Sequence, residues 1–184
     1  MATCFLKANL VLNHDFENGS GTTTPDWFKS AQTQIINTDN GNLEPGDQCV
    51  ELPLTHSLRS KGLAVTPGLE YTLTFEYKGG VQLRYRVRFF DNVDTNGSTG
   101  GNNFQGQITG FGDTTQDWTK VTTNVTIPTD TTFPANYVDL VFDNQDDGSG
   151  GGSLLIDNVQ FDVVPEPSTM AILALGGLLA RKRK

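Results

Sequence analysis

Three arginines stand at alternate positions, Arg84, Arg86 and Arg88, interleaved with Tyr85, Val87 and Phe89. A period of two is the signature of a half-buried strand, so the three guanidiniums leave one sheet face together while Tyr85, Val87 and Phe89 enter the core from the other. Like charges this close repel unless neighbouring strands supply acids, and Glu76 and Asp139 are the candidates. Two kinds of chemistry fit such a stripe. One is a cross-strand ion-pair ladder on a solvated face, which stabilises little. The other is a ligand face on which Arg forks, with Glu76 and with Tyr137 or Phe90 nearby, meet hydroxyls, uronates or the flat sides of sugar rings.

Catalytic patterns are lacking. Ser, His and Asp occur without a nucleophile elbow, and neither His14 nor His56 lies in a recognisable motif. Paired carboxylates are plentiful, yet glycoside hydrolysis also needs a walled cleft that a chain of this size rarely builds. A non-catalytic protein is expected. Asp143, Asp146 and Asp147, and likewise Asp91, Asp94 and Asn96, lack the spacing and closing Glu of an EF-hand and read as solvated hairpin loops. Trp27 and Trp118 read as core or edge plugs. Cys4 and Cys49 make no metal-site spacing, and no structural disulfide is expected between them.

The elements that must position the stripe are strands. Among 184 residues there are 20 glycines, much Thr and Asn, and little Ala, Glu or Lys, which disfavours long helices. Strands are expected at 8–13 with Leu10 and Leu12 inward, at 32–37, at 48–52, weakly within 57–65, at 70–78, at 81–90, after Trp118 through Val121, Thr123, Val125 and Ile127, at 137–143 and at 153–161. Gly79 and Gly80 are expected to end the strand at 70–78, and 91–112 reads as a long loop holding at most one short strand. Eight to ten short strands make an all-β antiparallel sandwich or jelly roll.

The C-terminus has a different composition. Pro165-Glu166-Pro167-Ser168-Thr169 is followed by an apolar run from Met170 to Ala180 and then Arg181 to Lys184. The prolines stop upstream structure, the apolar run can enter lipid as a short helix, and the four cations stay behind. That run is well short of the roughly 20 residues needed to span a bilayer, so a transient stop is expected rather than a permanent anchor. The chain carries a formal charge of −8; the tail from Pro165 contributes +3, leaving −11 on the remainder. So acidic a body argues against nucleic-acid binding.

This tail resembles the PEP-CTERM sorting signal, with Met170 where that family often has Trp. The resemblance implies recognition through Pro165, Glu166 and Pro167, cleavage by an exosortase, passage through the inner membrane, and delivery to the surface or extracellular matrix of a Gram-negative bacterium that makes extracellular polysaccharide. Export calls for an N-terminal signal peptide, and residues 1–8 have neither the charged nor the apolar region of one; a start codon assigned too late or a truncated gene is expected.

A second resemblance spans residues 9–162. Leu12-Asn13-His14-Asp15-Phe16-Glu17-Asn18-Gly19 followed by Trp27, the strand Tyr71-Thr72-Leu73-Thr74-Phe75, Trp118, and Leu155-Ile156-Asp157-Asn158-Val159 are similar to the pattern of jelly-roll carbohydrate-binding modules of the cellulose- and xylan-binding type. His14 replaces the usual Gly and Asn158 the second of two acids. The resemblance implies a structural Ca²⁺ bound with help from Glu17 and Asp157, where the first and last strands lie side by side; hard carboxylate oxygens suit that ion, and it offsets their repulsion. The expected organisation is a leader remnant at 1–8, a β domain at 9–163 and a sorting segment at 164–184. The expected function is binding of extracellular or matrix polysaccharide, with a structural or adhesive matrix protein lacking a sugar site as the alternative.

Overall fold

The computed structural model describes residues 9–18, 20, 24–36, 48–99, 103–145 and 152–165. These form an all-β antiparallel fold in the order β1 (Trp27–Lys29), β2 (Gln34–Ile36), β3 (Cys49–Leu52), β4 (Ser57–Ser60), β5 (Leu63–Ala64), β6 (Glu70–Phe90), β7 (Phe104–Thr126), β8 (Tyr137–Gln145) and β9 (Leu154–Val163). No helix occurs among the described residues. The helix expected in the tail falls outside them.

The frame is one long hairpin. β6 and β7 pair over nearly their whole lengths, from Glu70↔Thr126 to Phe90↔Phe104. On its other edge β6 pairs first with β9, through Tyr71 to Gly79, and then with β8, through Gln82 to Phe90. One leaf is therefore β2-β3-β9-β6-β7 and the other β1-β4-β8-β6-β7, with β5 added to β8. The expected break at Gly79 and Gly80 is instead the bend between leaves: both have left-handed φ, 81° and 72°, and a Cβ on Gly79 would lie 2.6 Å from the Ser153 carbonyl oxygen. Between the leaves Phe75 meets Phe142 and Tyr85 edge-on, at 4.9 and 5.1 Å between ring centres, and Trp27 tilts against Phe142. Leu73, Phe75, Leu140, Phe142, Ile156 and Phe161 are wholly buried there.

Two sequence expectations are corrected. Residues 9–13 form no strand: Val11 is buried and Leu12 is 63% exposed, the reverse of the expected facing. Asn9 clamps this segment to β9 by donating to the Val159 carbonyl and accepting from the Phe161 amide, and left-handed Asn13 and Phe16 turn the chain before a strand can continue. That turn drops Phe16 into the core against Trp27, whose indole nitrogen donates to the Asn13 carbonyl. The second correction concerns 91–112, whose latter part is the first half of β7. Gly110 and Gly112 lie on its inner face because the rings of Tyr85 and Tyr77 occupy that space; a Cβ on Gly110 would fall 2.1 Å from Tyr85 Cζ.

Cys49 is buried in β3. Cys4 lies outside the described residues, and with it the expectation about their pairing.

Candidate functional site

The arginine stripe lies on the outer face of the β1-β4-β8-β6-β7 leaf, as the alternation with buried Val87 and Phe89 requires. Register places three rows across it. Phe28, Arg59, Val141, Arg86 and Thr109 form the middle row. Asp143, Arg84 and Phe111 lie on one side of it, and Asp139, Arg88 and Gln107 on the other. Tyr137 shares this face at the Arg88 end, opposite Phe90. The sites predicted at Arg84, Arg86, Arg88 and Tyr137 are thus brought together.

Glu76 is not with them. The bend at Gly79 turns it onto the other leaf, fully buried and opposite Asp157. The acids that meet the arginines are Asp139, as expected, and Asp143, which in sequence reads as part of a solvated loop. Asp143 accepts from Arg84 Nε at 3.1 Å and from Arg86 Nη2 at 2.9 and 3.1 Å. Arg88 takes Asp139 in a two-bond fork, Nε to Oδ1 at 2.8 Å and Nη2 to Oδ2 at 2.6 Å. Asp139 also accepts from the Thr99 hydroxyl, and Arg59 Nε stands 4.0 Å away.

Arg59 was missed from the sequence. It lies over the Phe28 ring at 4.8 Å and donates to Ser98 Oγ, so residues 98–99 close one corner of the face. At the opposite corner the face is open. Phe111 is 59% exposed in the row of Arg84, and Arg84 meets protein only through Nε among the described residues. Arg86 Nε is buried without an acceptor. Four guanidiniums, two carboxylates and an exposed phenylalanine make a surface that can hold oxygen-rich ligands by forked hydrogen bonds and a ring by stacking.

The predicted metal residues occupy the other leaf. β9 carries an extra residue between Thr74↔Gln160 and Glu76↔Asp157, and Asn158 takes φ 51° there. This bulge keeps Ile156, Val159 and Phe161 all inward while Asp157 and Asn158 turn outward beside Glu76. Asn158 Nδ2 donates to Glu76 Oε2 at 3.2 Å, and its amide donates to Asp157 Oδ1 at 2.7 Å. Glu17 is exposed and accepts from the Gln48 amide at 2.9 Å, two residues before Val50, which pairs with Ile156. Glu17 therefore stands at the end of the strand next to Asp157's, and Glu76 faces Asp157 across the sheet. No group of three metal-binding side chains occurs among the described residues. Asp94, of the second acidic loop, accepts from the Asn96 and Ser98 amides and is a turn acceptor.

The sheet ends where the tail begins. Val164 donates its amide to the Glu70 carbonyl, and Pro165, exposed and without an N–H, leaves the ladder. Residues 163–184 match the family described as the PEP-CTERM protein-sorting motif. The chain carries a sorting tail. Glu166, Pro167 and the remainder of the motif lie outside the described residues.

No curated protein is matched by the chain. Solved structures share its fold. The enzymatically active domain of tailspike protein 4 of bacteriophage CBA120 superposes with TM-score 0.64 at 17% identity over 85% of this chain, which spans only 21% of that one. A Family 16 carbohydrate-binding module superposes with TM-score 0.56 at 21% identity, covering 83% of this chain and 99% of the module. A Stig cyclase, Fisc, from Fischerella sp. TAU superposes with TM-score 0.61 at 13% identity over 85% of this chain and 97% of the cyclase. At such identities the likeness is one of fold, a jelly-roll-like architecture that serves binding modules and enzymes alike.

Proposed function

We propose that this is an exported protein of the bacterial envelope or extracellular matrix, processed by an exosortase at its tail, whose domain at 9–163 binds polysaccharide without catalysis. The observation that carries this reading is a sorting motif at residues 163–184 on a jelly-roll fold with an open arginine and phenylalanine face. Sheet faces of this kind suit extended chains, since they offer length and stacking rather than an enclosed cleft. The tail would reside in the inner membrane only until cleavage. Asp157 and Glu17 would help to hold a structural Ca²⁺ on the opposite leaf, where the ion would offset the repulsion between their carboxylates.

Intact-mass measurement of the mature protein from the native host tests the sorting half: loss of Arg181 to Lys184 supports it, and a secreted protein that retains them sinks it. A glycan array tests the binding half. The second reading, a structural or adhesive protein without a sugar site, is favoured by the closed Arg88–Asp139 fork, which is already satisfied within the fold. It expects silence on the array.

A further inference from the structure

We infer that the open corner of this face selects an acidic polysaccharide, taking a carboxylate on the outer guanidinium edge of Arg84 while Phe111 covers an adjoining sugar ring. The inference rests on the carbohydrate reading above and adds the substrate class. An ion-pair ladder built for stability matches charge for charge. Here Arg59, Arg84, Arg86 and Arg88 are met by Asp139 and Asp143, and Asp113, opposite Gln82 on the same face, is the third acid, which leaves a local excess of one positive charge on a body of −11. At physiological salt the screening length is about 8 Å, so the distant acids of the body are largely screened and the local excess sets the field that a bound group feels.

The arrangement of donors points the same way. Asp143 serves two arginines, with Oδ2 shared between them, which leaves Arg84 with its outer guanidinium edge unmet among the described residues. Planar guanidinium forks match planar carboxylates better than single hydroxyls, and charge-assisted bonds are about twice as strong as neutral ones. Phe111, opposite Arg84 in the register and 59% exposed, supplies the apolar platform.

The test is affinity electrophoresis of the full chain in gels containing polygalacturonate or neutral galactan, across a salt series, with a DNA oligomer as competitor. The inference expects retardation by polygalacturonate that fades with salt, weakens roughly ten-fold in Arg84→Ala, weakens less in Arg84→Lys, and is unchanged in Lys78→Ala, which removes the same charge from the other leaf. Thermal melting verifies that Arg84→Ala is folded. Retardation by galactan alone, lost in Phe111→Ala, overturns the acidic class and leaves carbohydrate binding standing. No retardation by either glycan overturns both. Equal loss in Lys78→Ala, or competition by DNA as effective as that by free polygalacturonate, reduces the face to a general polyanion surface and also overturns the inference.

Discussion

Arg88 and Asp139 form a closed fork on adjacent strands, with N···O distances of 2.8 and 2.6 Å, and Asp139 has no exposed surface. Arg84 reaches Asp143 through one nitrogen and is 32% exposed. Similar in sequence, the two arginines carry different energetic weight. Arg88→Ala strands a buried carboxylate with only the Thr99 hydroxyl and a more distant Arg59, at a cost of about 3 kcal/mol. Arg84→Ala leaves Asp143 held by Arg86 and costs under about 1 kcal/mol. Urea unfolding of both variants checks this, and equal losses would contradict it.

Gly110 is glycine because a ring lies against it. Gly110→Ala forces Tyr85 aside and is expected to lower stability by about 1–3 kcal/mol. Gly152→Ala, where an added methyl meets nothing within 4 Å among the described residues, is expected to stay within about 0.5 kcal/mol of the parent. Comparable effects at the two sites would count against the packing described for β7.

Burial raises the Tyr77 hydroxyl above the ordinary tyrosine pKa, with Asp113 and then Tyr85 adding to the shift. The folded protein therefore keeps a proton that the unfolded chain releases. Its contribution is whole below the unfolded value of about 10 and is lost as pH rises past it. Tyr77→Phe forfeits the hydrogen bond to the Asp113 carbonyl, about 1 kcal/mol at neutral pH, but its melting temperature is expected to fall less than the parent's between about pH 8 and about pH 11. Parallel falls in the two proteins would remove Tyr77 from the alkaline transition.

If Ca²⁺ occupies the Asp157 leaf, linkage stabilises the fold by about 2.7 kcal/mol at a hundred-fold excess over the dissociation constant. EDTA is then expected to lower the melting temperature by several degrees, and Glu17→Gln to blunt that response. Metal-free and calcium-loaded protein melting at the same temperature would end the calcium proposal.

Much of this architecture is legible in the sequence because it rests on period-two alternation. The facing of Arg84, Arg86 and Arg88 and the strands β3, β8 and β9 all follow from that rule. Asp143 was readable too: it shares its parity with Asp139 along a strand whose Val138, Leu140 and Phe142 face inward. What the sequence hides depends on distant partners. Glycines in β7 read as loop until the rings of Tyr77 and Tyr85 are seen to fill their place. Glu76 reads as a partner for the stripe until the bend at Gly79 carries it to Asp157. Local pattern sets which side a residue faces, and only the topology sets which leaf that side belongs to.

The most direct test of the polysaccharide-binding account is titration of the full chain against a panel of acidic and neutral polysaccharides beside Phe111→Ala. The variant removes an exposed ring that supports no core, so its melting temperature should match the parent's. The account predicts saturable binding of at least one polysaccharide by the parent and a loss of roughly two- to ten-fold in the variant, in line with about 0.5–1.5 kcal/mol for a stacked aromatic. A parent protein that binds nothing on the panel, or binding that Phe111→Ala leaves unchanged, would contradict it.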